Sequence, residues 1–297
     1  MRILKLFKGF DQIEKVKKIL LTGSTGFIGS ELLADLSKDH KIYVILRKNK
    51  KILKNKNVTK VIYSNFKNLN NKLSKLKINT IIHCATHYVK KHTFDDIQKL
   101  SVSNILFGNV MLENLKIMQV KTFINFSTVW ENYDGKKGNY YNLYSAYKDS
   151  FLNIINYYKK KNNKIKFLNL VISDTFGQND KRKKIINVLK SNYKKKRKTK
   201  IISQNLYINL LNVNDVKNAI FLILKGRYKS GTYSLQNNKS FKIKDIISDV
   251  NKYQKQKIKI EWLSNKILKE KIYKFKPLKN WKPYNSKIKD VVKIITG

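Results

Sequence analysis

Residues 20–33 read LLTGSTGFIGSELL, and this stretch decides the fold. It opens on the end of a short apolar run, KILLT at 18–22, of the kind buried on both faces of a parallel sheet. It closes on a run with helical spacing at Ile28, Leu32, Leu33 and Leu36. Between them Gly23, Gly26 and Gly29 stand at G-x-x-G-x-x-G spacing. Strand, glycine-rich turn and helix, in that order, are the context a dinucleotide-binding fingerprint requires. Gly23 can make the tight turn, Gly26 lets backbone approach a pyrophosphate, and Gly29 allows close helix–strand packing. The helix start offers unpaired N–H groups and a partial positive charge to phosphate. Thr25, Phe27 and Ile28 are grouped with the three glycines as cofactor-binding residues. The whole chain has 11 glycines, so three at this spacing in this place are not an ordinary strand–helix turn.

Outward from the loop the alternation continues. KIYVILR (41–47), VTKVIYS (58–64), NTIIHCAT (79–86), KTFINFST (121–128) and KIKFLNLVIS (164–173) read as further strands. Helical patterns over 68–76, 94–118 and 144–158 lie among them. The expected fold is α/β, a doubly wound parallel Rossmann sheet over 18–172, with a smaller C-terminal substrate-binding lobe over 173–297. A strand and helix near 207–225 are expected to return to the larger domain. There is no internal repeat and no Ser/Pro/Gly-rich linker.

The formal net charge of the 297 residues is +45, from 64 Lys and Arg against 19 Asp and Glu. Such a charge can mark a nucleic-acid or membrane-surface binder. Here the basic residues are spread over the whole chain and form no single arm or stripe. Lys, Asn, Ile, Tyr and Phe are inflated together, while Gly and Pro are scarce, the pattern of AT-rich codons. Nucleic acid is therefore not the expected partner; tight, salt-sensitive binding to random duplex DNA would overturn this. Cys84 is the only cysteine, which excludes an intramolecular disulfide. His83, His87 and His92 have no cysteine partners, so no metal site is expected. No apolar run is long enough to span a membrane, and charges interrupt the first 18 residues. The expected location is a reducing cytoplasm.

Tyr144 and Lys148 in NLYSAYKDSF (142–151) are four residues apart. The spacing alone is weak: it recurs from Tyr63, Tyr133, Tyr157 and Tyr253 in a chain with 17 tyrosines. Only the Tyr144 pair opens a helix after the fifth strand, where both residues share one helix face. A tyrosine titrates near pH ~10, and a neighbouring ammonium lowers that value. The phenol can then exchange a proton with a carbonyl oxygen as hydride moves. At the end of the second strand stands Arg47, one of five arginines, where an NAD site usually has an acid. An arginine there can hold a 2′-phosphate, so NADP(H) is favoured over NAD(H).

With these motifs in place, the chain resembles the extended short-chain dehydrogenase/reductases, whose best-known members act on nucleotide sugars. The resemblance covers nearly the whole chain. INFST, IIHCAT, LVISDTFGQND, NLLNVNDVKNAI, GTYSLQ and NWKPYNSKIKDVV are similar to successive segments of that family. FINFSTVW, NLYSAYK and DTFGQNDKR look nearest to its 4-ketoreductases of the CDP-abequose synthase type. The resemblance implies a nucleotide-diphosphate sugar as substrate and a homodimer formed through the Tyr144 helix. It makes Tyr144 and Lys148 both catalytic and cofactor-binding, and places Ala85 beside the cofactor. It places Thr86, Asp174 and Thr175 beside the substrate.

The family puts a catalytic Ser or Thr three residues before the valine of its next motif. Counting back from Val129 gives Phe126, which cannot donate a hydrogen bond. Ser127 or Thr128 must supply the donor, and strand alternation favours one of them; Ser127 is preferred. The acid that often meets adenine after the third strand is absent, leaving Ser64 or Asn65. No Asp–Glu pair follows Phe126, so the dehydratase branch is disfavoured for want of an acid. The expected activity is NADPH-dependent reduction of a nucleotide-linked 4-keto-6-deoxy sugar. A 4-epimerase is the alternative, and a weakened dinucleotide-binding protein is a third reading, motivated by Phe126.

Overall fold

The structure is a computed structural model, and it describes residues 16–226 and 228–297. Seven strands form one parallel sheet: β1 (Lys18–Thr22), β2 (Lys41–Leu46), β3 (Val58–Ile62), β4 (Thr80–His83), β5 (Thr122–Thr128), β6 (Lys166–Ile172) and, far later in sequence, β11 (Gly231–Leu235). Their order is β11-β6-β5-β4-β1-β2-β3. Successive strands run one way from β1 to β3 and the other way from β4, so the chain reverses between β1 and β4. A doubly wound sheet opens a crevice at that point, beyond the strand C-termini.

Helices cover both faces: α1 (Phe27–Leu36), α2 (Phe66–Leu73), α3 (Phe94–Ser101), α4 (Phe107–Glu113), α5 (Leu143–Lys161) and α7 (Val213–Lys225). Strand alternation splits the core accordingly. Ile19 and Leu21 of β1 pack with α1 and α7, through Leu32, Leu36, Val216 and Ile220. Leu20, between them, points the other way and packs with Leu69, Met111, Phe151 and Ile155 of α2, α4 and α5. The long helical pattern at 94–118 becomes α3 and α4 joined by one wide π turn, Val102–Leu106. That turn holds the Asn104 side chain in the interior, 3 % exposed.

The smaller lobe has its own core. It contains β7 (Asp174–Phe176), β8 (Thr199–Ile201), β9 (Leu206–Ile208), β10 (Leu210–Asn212), β12 (Phe241–Lys242), β13 (Ile260–Trp262) and β14 (Leu268–Lys269). With them go α6 (Ile185–Lys194), α8 (Ile243–Tyr253) and α9 (Ile288–Thr296). Leu189, Ile246, Val250, Val291 and Ile295 fill the space between the three helices.

Helix α7 packs on α1, and the strand expected to rejoin the large sheet with it, β10, pairs instead with β7. The strand that rejoins the large sheet is β11, which pairs in parallel with β6 from Gly231↔Leu168 to Leu235↔Ile172. A parallel neighbour needs a helical crossover, and α7 supplies it. Two distant segments meet here as well. The buried Asp215 carboxylate of α7 accepts from the Asn285 backbone at 3.0 Å, the Asn285 amide at 2.8 Å and the Ser286 hydroxyl at 2.6 Å. The C-terminal segment is thereby clamped to the large domain.

Candidate active site

A cleft of about 450 Å³ opens over the C-terminal ends of the sheet strands. At one end the chain leaves β1 through Gly23, whose φ of +68° is left-handed. A Cβ on Gly29 would sit 2.1 Å from the Gly23 carbonyl oxygen, and one on Gly26 3.3 Å from it. Gly23 and Gly29 are therefore needed by the loop's own packing, and Gly26 sits in close contact with it. No side chain caps α1, so its first-turn N–H groups remain for an anion. Thr25, Phe27 and Ile28 line the same wall. Arg47 lines the cleft past β2, together with Lys50 and Tyr63. Asn65 does not line it; its Oδ1 caps α2 by accepting the Asn68 N–H at 2.8 Å. A bare helix N-terminus beside the glycine turn fits the phosphates of a dinucleotide. Ser173, on the cleft wall, adds a buried hydroxyl with no partner among the described residues.

Tyr144, Lys148, Ser127 and Thr128 come together on the cleft wall, with Ala85, Thr86, Asp174 and Thr175. Asn142 caps α5, its Oδ1 accepting the Ser145 N–H at 3.0 Å, and this sets the helix phase that turns Tyr144 and Lys148 inward. Burial dominates both groups. It pushes the Tyr144 phenol well up, against the influence of its hydrogen bond with the Thr86 hydroxyl. It pushes the Lys148 ammonium down, against the attraction of Glu131. The lowering expected from Lys148 is not among the influences on Tyr144; those that lower it are Thr86 and Arg182, and desolvation outweighs both. The phenol keeps its proton across neutral pH, the form a proton donor needs. Thr86 is itself held by Asn104, whose Oδ1 accepts the Thr86 hydroxyl at 3.1 Å and the His87 N–H at 2.7 Å.

Phe126 is 6 % exposed and packs into the core beside the sheet, as well as touching the cleft. Strand alternation predicts that only one of Ser127 and Thr128 reaches the site. Both line the cleft, because β5 ends at Thr128 and the backbone turns into a short 3-10 segment, Val129–Gly135. That turn carries an acid that motif spacing did not reveal. Glu131 is 2 % exposed; its Oε1 accepts the Ser127 hydroxyl and the Thr128 N–H. Glu131 lies behind the cleft wall and not on it, so it does not stand in for the Asp–Glu pair of the dehydratase branch.

Burial raises the Glu131 carboxyl to about 7, against the Ser127 hydrogen bond and the Lys148 charge. Below the ordinary carboxyl range Glu131 is protonated folded or unfolded. Between there and about 7 only the unfolded chain ionises, so stability falls as pH rises through this window. Glu131→Gln does not titrate. From about pH 4 to about pH 8 it is expected to gain on the order of 3 kcal/mol relative to the native chain. Urea denaturation of both proteins at the two pH values checks this.

Sequence spacing also missed a group of charged and aromatic side chains on the cleft lining. Arg182 donates to both Asp180 oxygens at 2.8 Å and to the Thr175 carbonyl and hydroxyl at 2.8 and 2.9 Å, with its guanidinium 4.5 Å from the Phe27 ring centre. Lys184 pairs with Asp174 at 2.6 Å and lies 4.6 Å from the Trp130 ring centre and 5.0 Å from that of Tyr88. Tyr88 meets Tyr144 edge-on at 5.1 Å. The one signal available was Arg182 itself, a rare arginine inside DTFGQNDKR.

The histidines do not converge. His83 Nδ1 lies 3.0 Å from the Thr22 hydroxyl, and His87 Nε2 lies 3.3 Å from Asp96. Among the described residues no group of three His, Cys, Asp or Glu could hold a metal ion. Burial pushes the Cys84 thiol up, away from thiolate chemistry. No described helix is long and apolar enough to cross a membrane.

Residues 19–235 match the family described as NAD dependent epimerase/dehydratase. A CDP-abequose synthase of Salmonella muenchen is 26 % identical over 250 residues, covering 83 % of this chain and 84 % of that protein. Another, of Yersinia pseudotuberculosis, is 25 % identical over 239 residues, covering 79 % and 83 %. Among solved structures, a UDP-N-acetylglucosamine 4-epimerase from Methanobrevibacter ruminantium superposes with a TM-score of 0.75 at 18 % identity, covering 94 % of this chain and 98 % of that one. A UDP-glucose 4-epimerase of Thermus thermophilus, in complex with NAD, gives 0.77 at 17 %, covering 94 % and 97 %. At these identities the structural likeness establishes the fold.

Proposed function

The chain belongs to the NAD dependent epimerase/dehydratase family, and we propose that within it this protein reduces a nucleotide-linked 4-keto-6-deoxy sugar with NADPH. The observation that carries the reading is the meeting of Tyr144, Lys148, Ser127 and Thr128 on one cleft wall. When bound, the cofactor supplies a hydride. Tyr144, protonated through burial, delivers the proton to the carbonyl oxygen. Ser127 or Thr128 orients that carbonyl, and the Lys148 ammonium stabilises the phenolate left behind. Lysine also suits the cofactor ribose. Asp174 and Thr175 face the substrate, held in place by Lys184 and Arg182. The Tyr88 and Trp130 rings suit the C–H faces of a deoxy sugar. The two relatives at about 25 % identity bear the name CDP-abequose synthase, which supports a reductase of this type.

The test is NADPH oxidation by the purified protein with a panel of CDP- and dTDP-linked 4-keto-6-deoxy sugars. Turnover with one of them supports the reading and identifies the nucleotide. No turnover, with cofactor retained through purification, favours the 4-epimerase. Retention of cofactor with neither activity favours the weakened binding protein.

The preference for NADP(H) rests on Arg47 and Lys50 on the cleft wall. A charged hydrogen bond contributes about 1.5–3 kcal/mol. Arg47→Ala is therefore expected to weaken NADPH binding roughly 10- to 100-fold while leaving NADH within about threefold; fluorescence titration with both cofactors checks it. The same reading pairs two copies through the α4–α5 face, where Leu106 and Tyr157 stay exposed, and sedimentation tests that. A nucleotide sugar and a nicotinamide cofactor suit the cytoplasm expected from the single cysteine.

A further inference from the structure

Ser127 is the preferred carbonyl donor, yet its hydroxyl is bonded to the buried Glu131 carboxyl. A hydroxyl has one proton to give. If Glu131 is ionised, it can only accept, and it takes the Ser127 proton. Ser127 then shows the cleft lone pairs alone, which repel a carbonyl oxygen. If Glu131 is protonated, its own O–H can donate to Ser127 Oγ. The serine proton is then free to enter the cleft, and Glu131 Oε1 still accepts the Thr128 N–H on its other lone pair.

The geometry supports a role through Ser127 and not on substrate. Ser127 and Thr128 line the cleft, whereas Glu131 is 2 % exposed and does not. Glu131 also closes a capping box with Thr128, which fixes its position behind the serine. We propose that Glu131 is a positioning residue: its protonated form turns the Ser127 hydroxyl towards the substrate carbonyl, and its ionised form turns it away. This rests on the reductase reading above.

The charged and titratable groups around Glu131 pull in both directions. On α5, Lys148 favours its ionised form and Asp149 opposes it. Tyr144 on α5 and Tyr140 before it both feel the Glu131 charge as a phenol-protonating influence. From β5, Ser127 and Thr128 donate to it and favour ionisation. Burial outweighs them, so the exchange of forms falls near neutral pH.

The experiment has two arms. In the first, the infrared spectrum of the cofactor-free protein is titrated for native, Glu131→Gln and Ser127→Ala chains. The expected result is a protonated-carboxyl band that titrates through neutral pH and is missing in E131Q. In S127A its midpoint should rise, since the serine proton no longer stabilises the carboxylate. No band assignable to Glu131, or an unmoved midpoint in S127A, overturns the proposal. This arm needs no substrate, so it stands or falls apart from the reductase reading.

In the second arm, kcat is followed against pH with whichever keto sugar the enzyme turns over. Native turnover should fall above neutral pH. Turnover of E131Q should not, because the glutamine amide still donates to Ser127, and near pH 9 it should exceed the native rate by about tenfold or more. In the S127A background the same change should have no such effect. An E131Q profile that follows the native one, or an equal gain without Ser127, overturns the proposal.

Discussion

Replacing Tyr144 by phenylalanine is expected to lower kcat for keto-sugar reduction by about a thousandfold, within the 10²–10⁴ range that a positioned proton donor contributes. Burial holds the phenol protonated through neutral pH, so it is the group ready to give a proton to the carbonyl oxygen. Lys148 is the only other titratable side chain from α5 on this wall, and burial pushes its ammonium down. The substitution leaves the ring, so the edge contact to Tyr88 at 5.1 Å persists and the cleft keeps its shape. The affinity for NADPH should therefore change by less than about threefold, and KM for the sugar little more. Stopped-flow single turnovers separate these terms. An unchanged kcat would remove Tyr144 from the chemistry and leave Ser127 and Thr128 as a binding surface only.

Gly29→Ala is expected to raise the Kd for NADPH at least a hundredfold and to lower stability by about 1–3 kcal/mol. Its new Cβ would lie 2.1 Å from the Gly23 oxygen, 2.7 Å from the Gly23 carbon and 3.1 Å from the Ser24 Cα. All three are backbone atoms, so no side-chain rotation relieves the overlap. The start of α1 must move away from the loop. Gly23 cannot follow, because a Cβ there would meet the Ala85 nitrogen at 2.6 Å, which shows how closely β4 backs the turn. The first-turn N–H groups, left uncapped by any side chain, would thus be displaced together. Gly231→Ala is the control, since its Cβ meets only the Tyr233 ring, at 3.5 Å. It should bind NADPH as the native chain does. Equal binding by G29A would mean that the loop is not the phosphate site.

Much of this was legible in the sequence wherever a local period carried the information. The glycine spacing at 23, 26 and 29 named the turn, and the unbroken apolar run Ile19, Leu20 and Leu21 told that β1 is buried on both faces. Tyr144 and Lys148 are one helical turn apart, so their shared direction followed from 3.6 residues per turn. The π turn at 102–106 was not legible, because its effect is to break that period and hold Asn104 in the interior against Thr86. Nor was the placement of β11, since a strand carries no mark of which edge of a sheet it will extend.

By itself, then, the sequence determined the alternation of strands and helices, the glycine turn after β1 and the shared helix face of Tyr144 and Lys148, because each is written in patterns a few residues long. Only the tertiary structure decided the direction of the Tyr144 shift, the acid behind Ser127, and the wall of Arg182, Lys184, Tyr88 and Trp130. Those depend on burial and on meetings between irregular segments far apart in the chain. Desolvation outweighs a neighbouring charge once a group leaves water, and composition and spacing do not record how deep a side chain will lie.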